Sequence, residues 1–224
     1  VDWQAIALTA RLAALTTVIL LLAGAPLAYW LAMSRRGWKV IVEAVVALPL
    51  VLPPTVIGFY LLLALGPRSP IGRAYESITG RLLPFSFQGL LVGSVLFCLP
   101  FAVQPMMVAF GEVDKKLMEA SWMLGEGRLV TFFRTVVPMS VSGILISAVL
   151  TFAHTMGEFG VVLMLGGNIR GETRTVSISI YDRVQALDYA AAGRTAAFLL
   201  GFSFVVLVFT YAVHGRSKAT WPTR

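Results

Sequence analysis

The sequence predicts an all-helical protein that crosses a membrane about five times. Hydrophobic residues fill 58% of its 224 positions, DEKR only 13%, and the apolar residues are gathered into long uncharged runs. An ordinary soluble domain carries roughly 25% charged residues, so this chain lacks the polar surface needed to stay dissolved. Its length would suit one soluble domain. With this patterning the relevant unit is the bilayer span, and 1–224 reads as one membrane domain.

The first span falls in the apolar segment that begins at Ile6. Its uncharged stretch Leu12–Met33, at roughly 1.5 Å per residue, reaches about 33 Å and covers a hydrocarbon core of about 30 Å. No basic segment precedes it, and Arg35, Arg36 and Lys39 follow it like a stop-transfer anchor, so a retained anchor is expected rather than a signal peptide. The runs Ala44–Leu65, Leu82–Gly111, Thr135–Gly157 and Thr195–Val213 supply spans two to five.

Between spans two and three, Gly66-Pro67 and Ser69-Pro70-Ile71-Gly72 are turn formers, and the loop to Arg81 reads as a plain surface connection. The segment from Gly166 to about Asp188 contains a mostly apolar stretch, Thr175–Tyr181. That stretch can rest at the membrane interface or form a short re-entrant helix, so six spans remain possible. Pro26, Pro49, Pro53, Pro54, Pro100 and Pro105 fall at membrane depth, where each removes an N–H donor. They point either to helices broken around an internal pathway or to the ordinary proline content of membrane helices. Gly89 and Gly93 form a G-x-x-x-G that permits close helix approach. The single Cys98 excludes a disulfide framework and is expected to pack.

The formal charge of +7 comes from 18 Lys and Arg spread over the loops without a dense block, so lipid rather than nucleic acid is the expected surface partner. Five spans put the termini on opposite sides. With the Arg35/Arg36/Lys39 loop in the cytoplasm, Lys115, Lys116, Arg128, Arg134, Arg216, Lys218 and Arg224 join it, leaving Arg11, Arg68, Arg73, Arg81, Arg170, Arg174, Arg183 and Arg194 outside. This weak positive-inside bias places the N-terminus outside and the C-terminus inside.

The loop between spans three and four, 112–137, is the most informative. Asp114 is suited to cap a helix, Leu117, Ser121 and Leu124 recur on one face, and Gly125 should end the helix. A second short helix, from about Arg128 to Val136, leads to Pro138, a first-turn proline of span four. Small Ala120 and Ser121 let another surface approach, beside the acceptor Glu119.

Glu119-Ala120-Ser121, then Gly125 and Pro138, resembles the cytoplasmic "EAA" loop of the membrane subunits of ATP-driven bacterial importers. It departs from the usual pattern at Ser121 (Ala), Thr135 (Ile) and Val137 (Leu). The resemblance implies a type I importer permease fold in the bacterial inner membrane. It makes the loop a coupling helix for a separate ATPase, with Glu119 and Gly125 as the best-known positions.

His154-Thr155-Met156-Gly157-Glu158-Phe159-Gly160, followed by Gly166-Gly167-Asn168-Ile169-Arg170-Gly171-Glu172-Thr173, resembles the oxyanion branch of these permeases, nearest the molybdate type, with sulfate, thiosulfate and tungstate permeases as relatives. The implied partners are a second copy of the chain, a cytoplasmic ATP-binding dimer and an extracytoplasmic oxyanion-binding protein. Thr151, Thr155, Gly157, Glu158, Phe159, Gly160 and Asn168 are candidates for the pathway or its gate.

The sequence has no G-x-x-x-x-G-K-[ST] phosphate loop, and no cofactor, metal or catalytic residue is expected in it. His154 and Glu158 share a helical face, but with His214 far along another span they do not make a metal site. Glu158 is expected to accept hydrogen bonds, or to pair with Arg194 or another base, because an intramembrane acid needs a partner. The competing readings are a self-contained secondary transporter and a membrane enzyme or passive channel.

Overall fold

The computed structural model describes the backbone of residues 1–219 and the side chains of residues 1–208. His214, Arg216, Lys218 and Arg224 lie outside the described side chains.

Helix α1 (Trp3–Met33) begins at Asp2, whose carboxylate accepts the Ala5 N–H at 3.1 Å. It packs along α5 (Phe87–Gly111), and both pack on α9 (Val141–Gly157) to make the central three-helix core. Leu12, Leu20, Phe97, Val103, Met106 and Phe110 are buried there. Helices α1, α5 and α12 (Tyr189–Ala219, apolar through Val208) are each long and apolar enough to cross a membrane.

The remaining two crossings are bent. Helices α2 (Lys39–Val51) and α3 (Pro54–Leu65) meet at 113°. Leu52 and Pro53 each precede a proline and adopt extended backbone, the conformation that a following pyrrolidine ring forces. Pro26, Pro49, Pro100 and Pro105 sit inside continuous helices instead, so only the Pro53-Pro54 pair breaks one. Span four, expected to have Pro138 in its first turn, is also bent. Residues Arg128–Met139 meet α9 at 76°, and the bend falls at Ser140. Counting each bent pair once gives five spans.

The connection expected to be plain carries a helix, and the chain after α9 contains short helices. The Gly66–Arg81 connection contains the amphipathic helix α4 (Pro70–Thr79), capped by Ser69. Helix α10 (Gly160–Gly166) packs on α3 and α5, and α11 (Val176–Gln185) packs on α12. At roughly 1.5 Å per residue α11 reaches only about 15 Å, so it does not add a sixth span.

Gly93 permits the approach of α10, because a Cβ there would overlap Leu165 and Val161. Gly93→Val should therefore cost about 1–3 kcal/mol by overpacking. A lowered midpoint in thermal unfolding of the detergent-purified chain checks this, with exposed Gly37→Ala as the neutral comparison.

Candidate functional site

The coupling-loop candidates form a jointed unit. Helix α6 (Lys115–Met123) starts at Asp114, whose carboxylate accepts the Lys116 N–H at 2.9 Å. It ends where Gly125 turns the chain with φ +85, a conformation that favours glycine. Met118 and Ser121 face inward, while Leu117, Trp122, Met123 and Leu124 are exposed, the last two at 89% and 85%. The face drawn from Leu117, Ser121 and Leu124 is thus divided, with only Ser121 buried. Glu119 and Ala120 are exposed.

Ser121, where the resembled pattern has alanine, is occupied. Its hydroxyl donates to Glu126 Oε2 at 2.6 Å and lies 2.8 Å from Thr131 Oγ1, and Arg134 Nη1 donates to Glu126 Oε1 at 3.2 Å. The Ser121 hydrogen bond, joined by the hydrogen bond and charge of Arg134, outweighs desolvation and holds the Glu126 carboxyl below the usual range. Sequence reasoning passed over Glu126, Thr131 and Arg134. The one available signal was the opposite charge of Glu126 and Arg134 in the stretch that follows the Gly125 turn.

The chain then continues through α7 (Arg128–Thr131), a π-helical turn at Phe132–Val136 and α8 (Val137–Met139). Val137 N–H reaches the Phe132 carbonyl, and Pro138 has no N–H to continue an α-helical ladder. The Phe132 ring lies 4.9 Å from Tyr29 of α1 and 5.7 Å from Phe110 of α5. At the bend, Ser140 Oγ donates to the Ala109 carbonyl at 3.2 Å. The elbow is therefore fastened to both long core helices.

The second group surrounds the end of α9. Glu158, 4% exposed, accepts Val161 N–H at 2.7 Å and Val162 N–H at 3.1 Å, one on each carboxylate oxygen. It caps α10 and uses hydrogen bonds, the first of the two roles expected for it. Thr155 donates to the Thr151 carbonyl and lies 3.2 Å from Cys98 Sγ, so Cys98 has a polar neighbour as well as packing. Thr151 Oγ1 and His154 Nε2 are buried without a hydrogen-bond partner among the described residues, an uncommon state for buried polar atoms. His154 also stacks on Phe101 at 3.9 Å. Gly157 is exposed, Phe159 lies 5.0 Å from Tyr181, and Gly160 sits against Pro54.

Asn168 lies apart from these, with φ 63. Its Oδ1 accepts from Arg174 Nε at 2.6 Å, its Nδ2 donates to Asp182 Oδ1 at 3.3 Å, and Arg174 pairs with Asp182 at 3.0 Å. The glycine-rich motif thus builds a bracket onto α11. Ser179 of the same helix donates to Asp2 at 2.6 Å.

A family model described as binding-protein-dependent transport system inner membrane component matches residues 24–217. The chain is 51% identical to the molybdenum transport system permease protein of Azotobacter vinelandii, covering 94% of this chain and 93% of that one. It is 35% identical to the molybdenum transport system permease protein of Escherichia coli K12, over 82% of this chain and 80% of that one. A solved bacterial ABC transporter involved in the import of the acidic polysaccharide alginate matches with a TM-score of 0.74 at 19% identity, over 98% of this chain and 79% of that one. That last likeness is one of fold.

The joint should respond to acid in one direction. A carboxylate held below its ordinary pKa stabilises the folded arrangement above its unfolded value and loses that contribution as pH falls through the lowered one. The distance distribution between spin labels at Ala120 and Val141 should stay narrow above about pH 5 and broaden below the usual carboxylate range. In Glu126→Gln it should be broad at every pH.

Proposed function

The chain belongs to the binding-protein-dependent transport system inner membrane components, and from that premise we propose that two copies of it form the route by which molybdate enters a bacterial cell. It is a non-catalytic, multi-pass permease subunit of an ATP-driven importer, with the type I importer permease fold. The observation that carries the choice of cargo is the identity to molybdenum permeases across nearly the whole chain.

In this reading the N-terminus is outside, the C-terminus is cytoplasmic, and each α6 seats in one subunit of an ATPase dimer. The exposed Met123 and Leu124 beside Glu119 and Ala120 support this, since such an apolar patch on a polar loop suits a protein contact. Gly125 sets the angle of the handle, and Ser121 braces it. Pro138 marks the start of the elbow into span four. ATPase closure draws the two handles together, and the Phe132 and Ser140 contacts pass that movement to α1, α5 and α9.

Near the end of α9, the unpartnered Thr151 hydroxyl supports a polar lining. Thr155, Gly157, Phe159 and Gly160 shape the adjoining gate, Glu158 fixes α10, and Asn168 braces the outer segment facing an oxyanion-binding protein. Hydroxyl and backbone donors can replace part of an oxyanion's hydration.

Glu119→Arg should lower uptake about tenfold or more through lost ATPase association, read by co-purification of the ATPase and by uptake in the same vesicles. Unchanged association and uptake would remove Glu119 from its role. Labelled molybdate should enter proteoliposomes holding the chain, its ATPase and its binding protein, with sulfate a poor competitor. Dominant sulfate uptake would reassign the cargo, and uptake by the chain alone under an ion gradient would replace the ATP-driven reading.

A further inference from the structure

We propose that the cavity between the inner end of α1 and helix α6 binds the phosphate headgroup of an anionic phospholipid. The cavity measures about 530 Å³. Arg35, Arg36, Lys115 and Arg128 line it, against the single carboxylate of Glu119. All four cations are exposed, and among the described residues none is in an ion pair. Four cations against one carboxylate around one hollow favour an anion, and basic hollows between membrane helices suit acidic lipid headgroups.

Its position selects lipid over a soluble anion. Tyr29, Trp30 and Trp122 line the same cavity, and Trp30 lies 4.8 Å from Trp38. Amphipathic rings gather at the headgroup level of a bilayer, here at the point where α1 ends at Met33. A mostly apolar groove of about 340 Å³, which Glu43 and Gln104 also line, starts within one turn, at Leu31, and runs between α2 and α5 past Val46, Val103 and Met107. Phosphate in the basic hollow and an acyl chain in the groove would use both surfaces at once.

The site joins α6 to α1 through its ligand, so lipid would steady the handle that the ATPase grips. This inference goes beyond the transport reading, and its test requires no uptake. Native mass spectrometry of the permease–ATPase complex, titrated with phosphatidylglycerol or phosphatidylcholine, should show at least about a tenfold preference for the acidic lipid. Arg35→Gln/Arg36→Gln/Lys115→Gln/Arg128→Gln should lose that preference, while Arg68→Gln/Arg73→Gln keeps it.

Photoactivatable phosphatidylglycerol should label peptides 29–36 or 115–122 in the unaltered complex, which tests the site without any variant. Equal binding of the two lipids, equal loss in the Arg68/Arg73 control, or labelling elsewhere only would overturn the proposal. Displacement by millimolar inorganic phosphate would make the site one for a free anion. Lipid binding by the permease alone that vanishes when the ATPase is added would make the hollow part of the ATPase footprint. Either result also overturns it.

Discussion

Hydrocarbon offers no hydrogen bonds, so every backbone group freed at membrane depth must find a partner within the protein. That constraint governs each interruption in this chain. Where α9 gives way to α10, Glu158 spends both carboxylate oxygens on Val161 and Val162. At the bend into α9, Ser140 turns its hydroxyl to the carbonyl of Ala109. The Val176 N–H that opens α11 reaches Thr9 of α1 at 2.8 Å, and Phe85 N–H reaches the Leu165 carbonyl at 2.7 Å. Broken helices are tolerated here because their loose ends are tied to neighbouring ones.

The same ties decide how movement travels. A rigid rod from α6 into the membrane would carry displacement directly, but this chain has two turns in that path. Gly125 separates α6 from α7, and Ser140 separates α8 from α9. Between them Phe132 is lodged beside Tyr29 and Phe110, so the linking segment leans on α1 and α5 rather than on α9 alone. A push on α6 therefore loads the core as a whole. Ser121 belongs to the same logic: a buried hydroxyl is costly without partners, and Glu126 and Thr131 supply them.

Much of this was legible in the residues. Uncharged runs located the spans, Asp114 and Gly125 bounded α6, and Gly93 marked a close approach. Direction was less legible, because periodicity shows which residues share a face without showing what that face meets. Leu124 shares a periodic face with Ser121, yet Leu124 is exposed and Ser121 buried, while Met118, outside that face, is buried. Proline was ambiguous for a related reason. One proline can be absorbed in a continuous helix, as at Pro100, whereas two in succession force Leu52 and Pro53 to extend together. The hydrogen bonds of Ser121 with Glu126 and Thr131 needed the turn at Gly125 before their members could meet.

Glu158 illustrates how a buried carboxylate is held by the donors of its own chain. The first N–H groups of a helix attract anions, and a free helix start would hold an oxyanion firmly. Here those donors on Val161 and Val162 are already taken by the chain's own carboxylate. A neutral hydroxyl such as that of Thr151 in α9, which has no partner among the described residues, is a weaker donor. A transported ion has to leave as readily as it enters, so weak donors suit a permease better than a free helix start does. The carboxylate thus secures α10 and, by the same two hydrogen bonds, closes that helix start to any other anion.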